Sequence, residues 1–160
     1  MPSTILSTLL MGSVLVTSIP PLYFSITASQ LLLNYEDMTK KAAKYSNEAE
    51  RQLWKTRKTQ GSAVLATATS TLSVLYLLYA RMTSSDPLWH RSIILAAANS
   101  MFAFGSQAYL KGFWKNTARV PVPGSGKYND AMRSTEQVMV WFNYVGVLWG
   151  GLAGALLVGF

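Results

Sequence analysis

The chain has 160 residues, enough for one domain at the usual ~100–200 residues each. Half of its residues are apolar and only 13% are charged, against about 25% charged in an average globular protein. The chain contains no cysteine, which excludes a disulfide scaffold and a cysteine-based zinc or iron-sulfur site. The composition favours a polytopic membrane protein.

Four stretches free of charged side chains follow one another, and we expect spans at approximately 4–34, 59–80, 92–110 and 137–160. Each is long enough, since about 20 apolar residues in a helix cross the hydrocarbon of a bilayer. The first lacks the basic start and cleavage site of a secretory signal and is expected to be retained. Pro20 and Pro21 should kink it near its middle, because proline supplies no N–H donor. The sequence predicts an all-α integral membrane four-helix bundle, a single transmembrane domain over 1–160.

The charges in the connections predict the orientation of this bundle. The first connection, 36–58, carries seven of the 14 Lys and Arg residues, and the third, 111–136, carries five. Short cytoplasmic loops are enriched in these residues, so loops 1 and 3 are expected in the cytoplasm and both termini on the lumenal or outer side. Loop 1 is expected to be helical from Ser46-Asn47 into the second span. Loop 3 is expected to be a flexible flap, because Pro121 to Gly126 contains helix breakers.

Amide side chains lie at the ends of the predicted spans or within them. An unpaired amide in hydrocarbon costs several kcal/mol, so all of them should face the bundle interior. One interpretation is hydrogen bonding between helices at ~0.6 kcal/mol per bond. The other is a polar-ended pocket open toward the cytoplasmic leaflet, with Trp141 and Tyr144 as aromatic walls. The amides are Gln30, Asn34, Gln60, Asn99, Gln107 and Asn143.

The fourth span carries Gly146, Gly150 and Gly154 at four-residue spacing. Small residues at this spacing let two helices approach closely within lipid. Packing against another span of the same chain is the favoured interpretation. A homo-oligomer formed through the same three glycines is the alternative.

Several classes of function are disfavoured by what the predicted spans lack. They contain no Asp, Glu, Lys, Arg or His, which argues against a proton-coupled transporter, a charged channel ring and a voltage sensor. The single histidine, His90, cannot hold a metal or haem alone, so no metal and no cofactor is expected. The basic residues flank the spans, which favours contact with the lipid bilayer over nucleic acid.

Three short patterns resemble a known family. Trp141-Phe-Asn143 with the glycine-rich stretch after it, Arg51-Gln-Leu-Trp54 before the second span, and Trp114-Lys-Asn116 after the third are similar to segments of the anthrone oxygenase-like family. These are small four-span membrane proteins common in fungal polyketide pathways. Gly146 stands where that family usually has an arginine, and Phe113-Trp114-Lys115 replaces its proline-threonine pair.

The resemblance implies a membrane-embedded tailoring enzyme acting on a lipophilic aromatic or polyketide-like intermediate. It would be a cofactor-free monooxygenase, an oxidoreductase of secondary metabolite biosynthesis that converts an anthrone to an anthraquinone in the endoplasmic reticulum. Donors to the developing oxyanion would be Asn143 and Asn116. The substrate would be held by Trp141, Tyr144, Gln107 and Asn34, with positive charge from Arg57 or Lys115.

Two other functions remain open. Microsomal glutathione transferases are also basic four-span chains, and Glu50-Arg51 followed by Arg57 resembles part of their signature, although its His and Asn are absent. A non-catalytic membrane subunit or assembly factor is the second alternative. Glycine-faced spans without ionisable groups are expected of such a protein.

Overall fold

A computed structural model describes residues 2–43, 47–83, 89–114 and 126–158. They form four helices, α1 (Pro2–Ala43), α2 (Asn47–Thr83), α3 (Trp89–Trp114) and α4 (Gly126–Leu157). Within the described residues every regular element is helical. The predicted all-α class is therefore confirmed.

All four helices can cross a membrane by length and composition, over Ile5–Leu33, Arg57–Thr83, His90–Trp114 and Asn129–Leu157. Large apolar side chains cover their outer surfaces, and Leu9, Leu72 and Ile94 are each about two-thirds exposed. A bilayer would cover such a surface, whereas a soluble protein rarely leaves so much apolar area in water. The structure is that of a four-helix chain compatible with an integral multi-pass membrane protein.

The helices extend beyond the predicted spans. α1 continues through Pro20-Pro21 and past its predicted end as far as Ala43. α2 begins at Asn47, as expected of a helical loop 1, and α4 begins at Gly126, well before the predicted start of the fourth span. No proline follows Pro123 in the sequence, so a helix that begins at Gly126 can continue without a break. The predicted flap over 111–136 is therefore wrong for 111–114 and 126–136, which are helical, and its residues 115–125 lie outside the described residues.

Buried side chains recur at alternating intervals of three and four residues in each helix. On α4 the buried series is Val138, Phe142, Val145, Trp149, Leu152 and Leu156. The same spacing places Ser7, Met11, Val14, Ser18, Pro21, Ser25 and Ala28 inside on α1. A repeat of 3.5 residues is the seam of a left-handed coiled coil, so the four helices pack as a coiled-coil-type bundle.

Neighbours along the chain are neighbours in space, and α1 also packs against α4. α1 therefore lies diagonally opposite α3, and α2 opposite α4. The core has two apolar clusters along the bundle axis. One includes Val14, Val74 and Trp149, and the other includes Ala63, Leu110 and Phe142.

Candidate functional site

A polar layer crosses the centre of the bundle between the two apolar clusters. The indole Nε1 of Trp149 donates a hydrogen bond to Ser70 Oγ at 2.8 Å. The same Ser70 oxygen shares a hydrogen bond with Ser18 Oγ at 3.0 Å. One hydroxyl thus joins α1, α2 and α4, and the Trp149 ring spans the diagonal between α4 and α2. All three side chains are buried, Trp149 and Ser18 completely.

A narrow crevice adjoins this layer and is lined by residues from all four helices. The space between atoms there is about 230 Å³, part of it open to the outside, and it leaves no room for a water molecule. Its polar lining comes from Ser18, Thr67, Ser70 and Asn99. The apolar lining consists of Pro21, Ala66, Ala103, Phe142 and Val145.

Asn99 is the crevice residue whose hydrogen bonding is incomplete. Its Nδ2 donates to the Leu95 carbonyl one turn earlier, at 2.9 Å. Its Oδ1 is buried and has no hydrogen-bond partner. The amide cannot be reversed to relieve this, because Oδ1 would then face the Leu95 carbonyl, acceptor against acceptor. An acceptor buried without a partner costs about 1–3 kcal/mol.

A second polar layer lies nearer the starts of α2 and α4. Gln60 Nε2 donates to Thr135 Oγ1 at 2.8 Å, again across the α2–α4 diagonal. Gln107 Nε2 donates to the Met139 carbonyl at 2.9 Å and joins α3 to α4. Gln60 and Asn99 are buried and Gln107 is half-buried. The expected inward orientation is therefore confirmed for these three amides. The two glutamines also form the expected hydrogen bonds between helices.

The expected inward orientation is wrong for Asn143 and Gln30, which are exposed. Asn143 directly follows the buried Phe142 and so lies outside the inward-facing series of α4. Tyr144 is 56% exposed, and its ring lies 5.6 Å from that of the half-buried Trp141. These three candidates therefore share the surface of one helix and do not line the bundle interior. Gln107 meets α4 at Met139, one turn before Asn143.

Two of the three evenly spaced glycines of α4, Gly146, Gly150 and Gly154, pack against α3. Ser100 Oγ donates to the Gly146 carbonyl at 2.8 Å. A methyl group built on Gly146 would lie 2.8–3.0 Å from the ring of Phe104, and one on Gly150 would lie 3.3 Å from Ser100 Oγ. Gly146 and Gly150 therefore give the close intramolecular approach that was favoured. Gly154 has open space beside it.

The remaining candidates are separate from this group or cannot be placed. Arg57 lies exposed near the start of the second candidate span, one turn before Gln60. The side chain of Asn34, together with Asn116 and Lys115, lies outside the described residues. Among the residues that the structure describes, no cluster of three or more His, Cys, Asp or Glu side chains could hold a metal ion.

The central layer of Ser18, Ser70 and Trp149 was not predicted as a unit. Its signal in the sequence is Trp149 itself, which lies deep in the fourth span, away from the membrane interfaces where tryptophan is usual. A buried indole N–H needs an acceptor. The hydroxyls at Ser18 and Ser70 occupy the middle of the first two spans and are the acceptors within reach.

Comparison of the chain with protein-family models, with curated proteins and with solved structures finds no match.

Proposed function

We propose that the chain is a multi-pass membrane enzyme that binds a lipophilic aromatic intermediate on the outer face of α4 and oxidises it without a cofactor. One observation carries the proposal. Asn143 is exposed on α4 and is the chain neighbour of Tyr144, whose ring is paired with that of Trp141, on a surface that a bilayer would cover. A substrate dissolved in lipid reaches such a face by lateral diffusion, without a channel through the protein.

The chemistry needs few protein groups. In anthrone oxidation the methylene carbon loses two hydrogens to dioxygen, one oxygen atom becomes the new carbonyl and the other leaves as water. The enolate that reacts with dioxygen carries negative charge on oxygen. The Asn143 amide N–H would stabilise this charge, and the Trp141 and Tyr144 rings would bind the flat substrate.

The orientation belongs to the same proposal. Loops 1 and 3 face the cytoplasm and both termini face the lumen of the endoplasmic reticulum, on the strength of the Lys and Arg residues in those loops. Trp141 and Asn143 would then lie in the cytoplasmic half of the membrane. A polyketide made in the cytosol would enter that leaflet first.

Anthrone oxidation by membranes that contain the full-length chain tests the proposal. Dioxygen uptake and anthraquinone absorbance are measured against membranes without the protein. We expect the wild-type protein to accelerate anthrone oxidation. Asn143→Ala should lower this rate at least about tenfold, since removal of one oxyanion donor typically costs about a hundredfold or more in rate. The matched control is Gln137→Ala, an exposed amide on the same helix, which should retain full activity. An Asn143→Ala protein that inserts, folds and oxidises at the wild-type rate refutes the role of Asn143.

A different observation favours a second candidate, a non-catalytic membrane subunit. The bundle centre is filled by Trp149 and small residues, as expected of a packing module, while α4 leaves Val147, Gly150 and Gly151 exposed. Another span or a second copy of the chain could bind there. Copurification of a membrane partner in fixed ratio, together with no anthrone oxidation, would favour this candidate over the enzyme.

A further inference from the structure

The central crevice is separate from the outer face of α4 that carries Asn143. Its hydrogen-bond donors and acceptors can be counted. The indole N–H of Trp149 is used on Ser70. The Thr67 hydroxyl donates to the carbonyls of its own helix, Ala63 and Val64. Ser18 and Ser70 have two hydroxyl hydrogens between them, and their shared bond uses one. The crevice therefore has one serine hydrogen to donate and an open acceptor at Asn99 Oδ1.

Two prolines interrupt the backbone hydrogen bonding of α1 near the crevice. Pro20 and Pro21 cannot donate the helix hydrogen bonds that the carbonyls of Val16 and Thr17 would otherwise accept. Pro21 itself lines the crevice. The acceptor that the structure shows without a partner in the crevice is Asn99 Oδ1, on a residue that is only 5% exposed.

We propose that this crevice binds the hydroxyl group of a lipophilic alcohol or phenol, with the hydroxyl donating to Asn99 Oδ1 and accepting from the Ser18–Ser70 pair. A hydroxyl group supplies both partners that the crevice lacks. An anion would find a single serine hydrogen and otherwise oxygen acceptors, and a cation would lose its hydration with no carboxylate nearby in the described spans. An ether or a ketone supplies no hydrogen to Asn99.

The packing also indicates how such a molecule enters. α2 and α3 share the smallest interface of the four neighbouring pairs. At the crevice this interface presents the small side chains Ala66 and Ala103. Separation of α2 from α3 would break fewer packing contacts than separation of any other neighbouring pair, and it would open the crevice to lipid. The apolar body of the ligand would remain in this opening while its hydroxyl group reaches Asn99.

Photocrosslinking of the full-length chain in phosphatidylcholine nanodiscs tests the site. The probe is a long-chain alcohol carrying a diazirine, and its matched control is the methyl ether of the same molecule. We expect the alcohol to label the segments 66–70 of α2 and 99–103 of α3, to be displaced by unlabelled alcohol, and to exceed the ether about tenfold, the value of one hydrogen bond. Equal labelling by the two probes, or no saturable labelling of these segments, overturns the proposal without any variant.

A pair of variants assigns the hydrogen bond to Asn99. Asn99→Leu replaces the unpartnered amide with an apolar group of similar size and should lower alcohol labelling about tenfold to the level of the ether. Gln30→Leu removes an exposed amide from α1 and should leave labelling unchanged. Helix content by circular dichroism and a single gel-filtration peak verify folding. Undiminished labelling of folded Asn99→Leu overturns the role of Asn99.

Discussion

Among the glycines of the described helices, Gly146 has the least room for a side chain. Its carbonyl accepts a hydrogen bond from Ser100, and a methyl group on its Cα would meet the Phe104 ring. Because both contacts come from α3, this one residue sets how closely α3 and α4 approach. The same ring is 40% exposed, so its tip can move toward lipid when the space is taken.

We expect Gly146→Ala to lower the free energy of unfolding by about 1 kcal/mol, at the low end for overpacking because Phe104 can swing outward. Unfolding in sodium dodecyl sulfate, followed by circular dichroism, measures the change. The penalty should vanish in a Phe104→Ala background, as a double-mutant cycle would show.

Gly151→Ala is the matched control for this substitution. A methyl group there meets nothing within 4 Å, and alanine has the higher helix propensity. This variant should be as stable as the wild type or slightly more stable. An equal loss of stability at both glycines would mean that the contact with Phe104 is not the cause.

The amides show what residue type alone can and cannot predict. An asparagine in a span was expected to face inward because of the cost of exposing it to lipid. Asn99 lies in the buried 3–4 series of α3 with Ala96 and Ala103, whereas Asn143 falls just outside the series of α4. The spacing of apolar residues around Asn143 could have indicated its exposure, since Val138, Phe142, Val145 and Trp149 form a heptad seam. The cost of placing an amide in lipid therefore predicts the wrong face for Asn143, whereas the register of its apolar neighbours predicts the right one.

At the scale of elements, α4 begins with about three turns, residues 126–136, that precede the predicted span. Ala131, Met132 and Thr135 are buried in this segment, and Met132 belongs to the apolar cluster that contains Leu110 and Trp114. Tertiary packing therefore holds a segment whose own sequence, with Lys127, Asp130, Arg133 and Glu136, indicated only a polar loop.

Met132→Ala should loosen this segment selectively, because it removes the apolar anchor and leaves a cavity. We expect hydrogen exchange in 126–136 to accelerate about tenfold or more, since each 1.4 kcal/mol of local stability is a factor of ten. Exchange in 145–156 should not change, because those residues pack in the other cluster. Arg133→Ala, at an exposed position of the same turn, is the control. Uniform acceleration along α4 would contradict a locally anchored segment.

At the scale of the whole molecule, the hydrogen bond from Gln60 to Thr135 places the beginnings of the second and fourth candidate spans at the same end of the bundle. The C-terminal end of α2, with Met82, lies at the other end. The structure thus shows which helix ends lie together at one end of the bundle. The proposed orientation of the bundle in the membrane rests on the Lys and Arg residues of the connections.

Single cysteines in this cysteine-free chain test that orientation. Lys58→Cys, Arg133→Cys and Met82→Cys each replace an exposed residue. In sealed microsomes with the cytoplasmic face outward, a membrane-impermeant maleimide should label the first two proteins directly and Met82→Cys only after permeabilisation. The reverse pattern would contradict the proposed orientation. Labelling of Lys58→Cys and Arg133→Cys from opposite sides would contradict the arrangement of the bundle.

The sequence by itself determined the number of membrane-compatible helices and the all-α class, because hydrocarbon thickness and the scarcity of charge act on each segment independently of the others. Which side chains meet was decided only by the tertiary structure. Trp149 reaches Ser70 because α2 and α4 lie on a diagonal short enough for an indole to span. Asn143 lies outside and Asn99 inside because a 3.5-residue seam, set jointly by four helices, selects the buried positions.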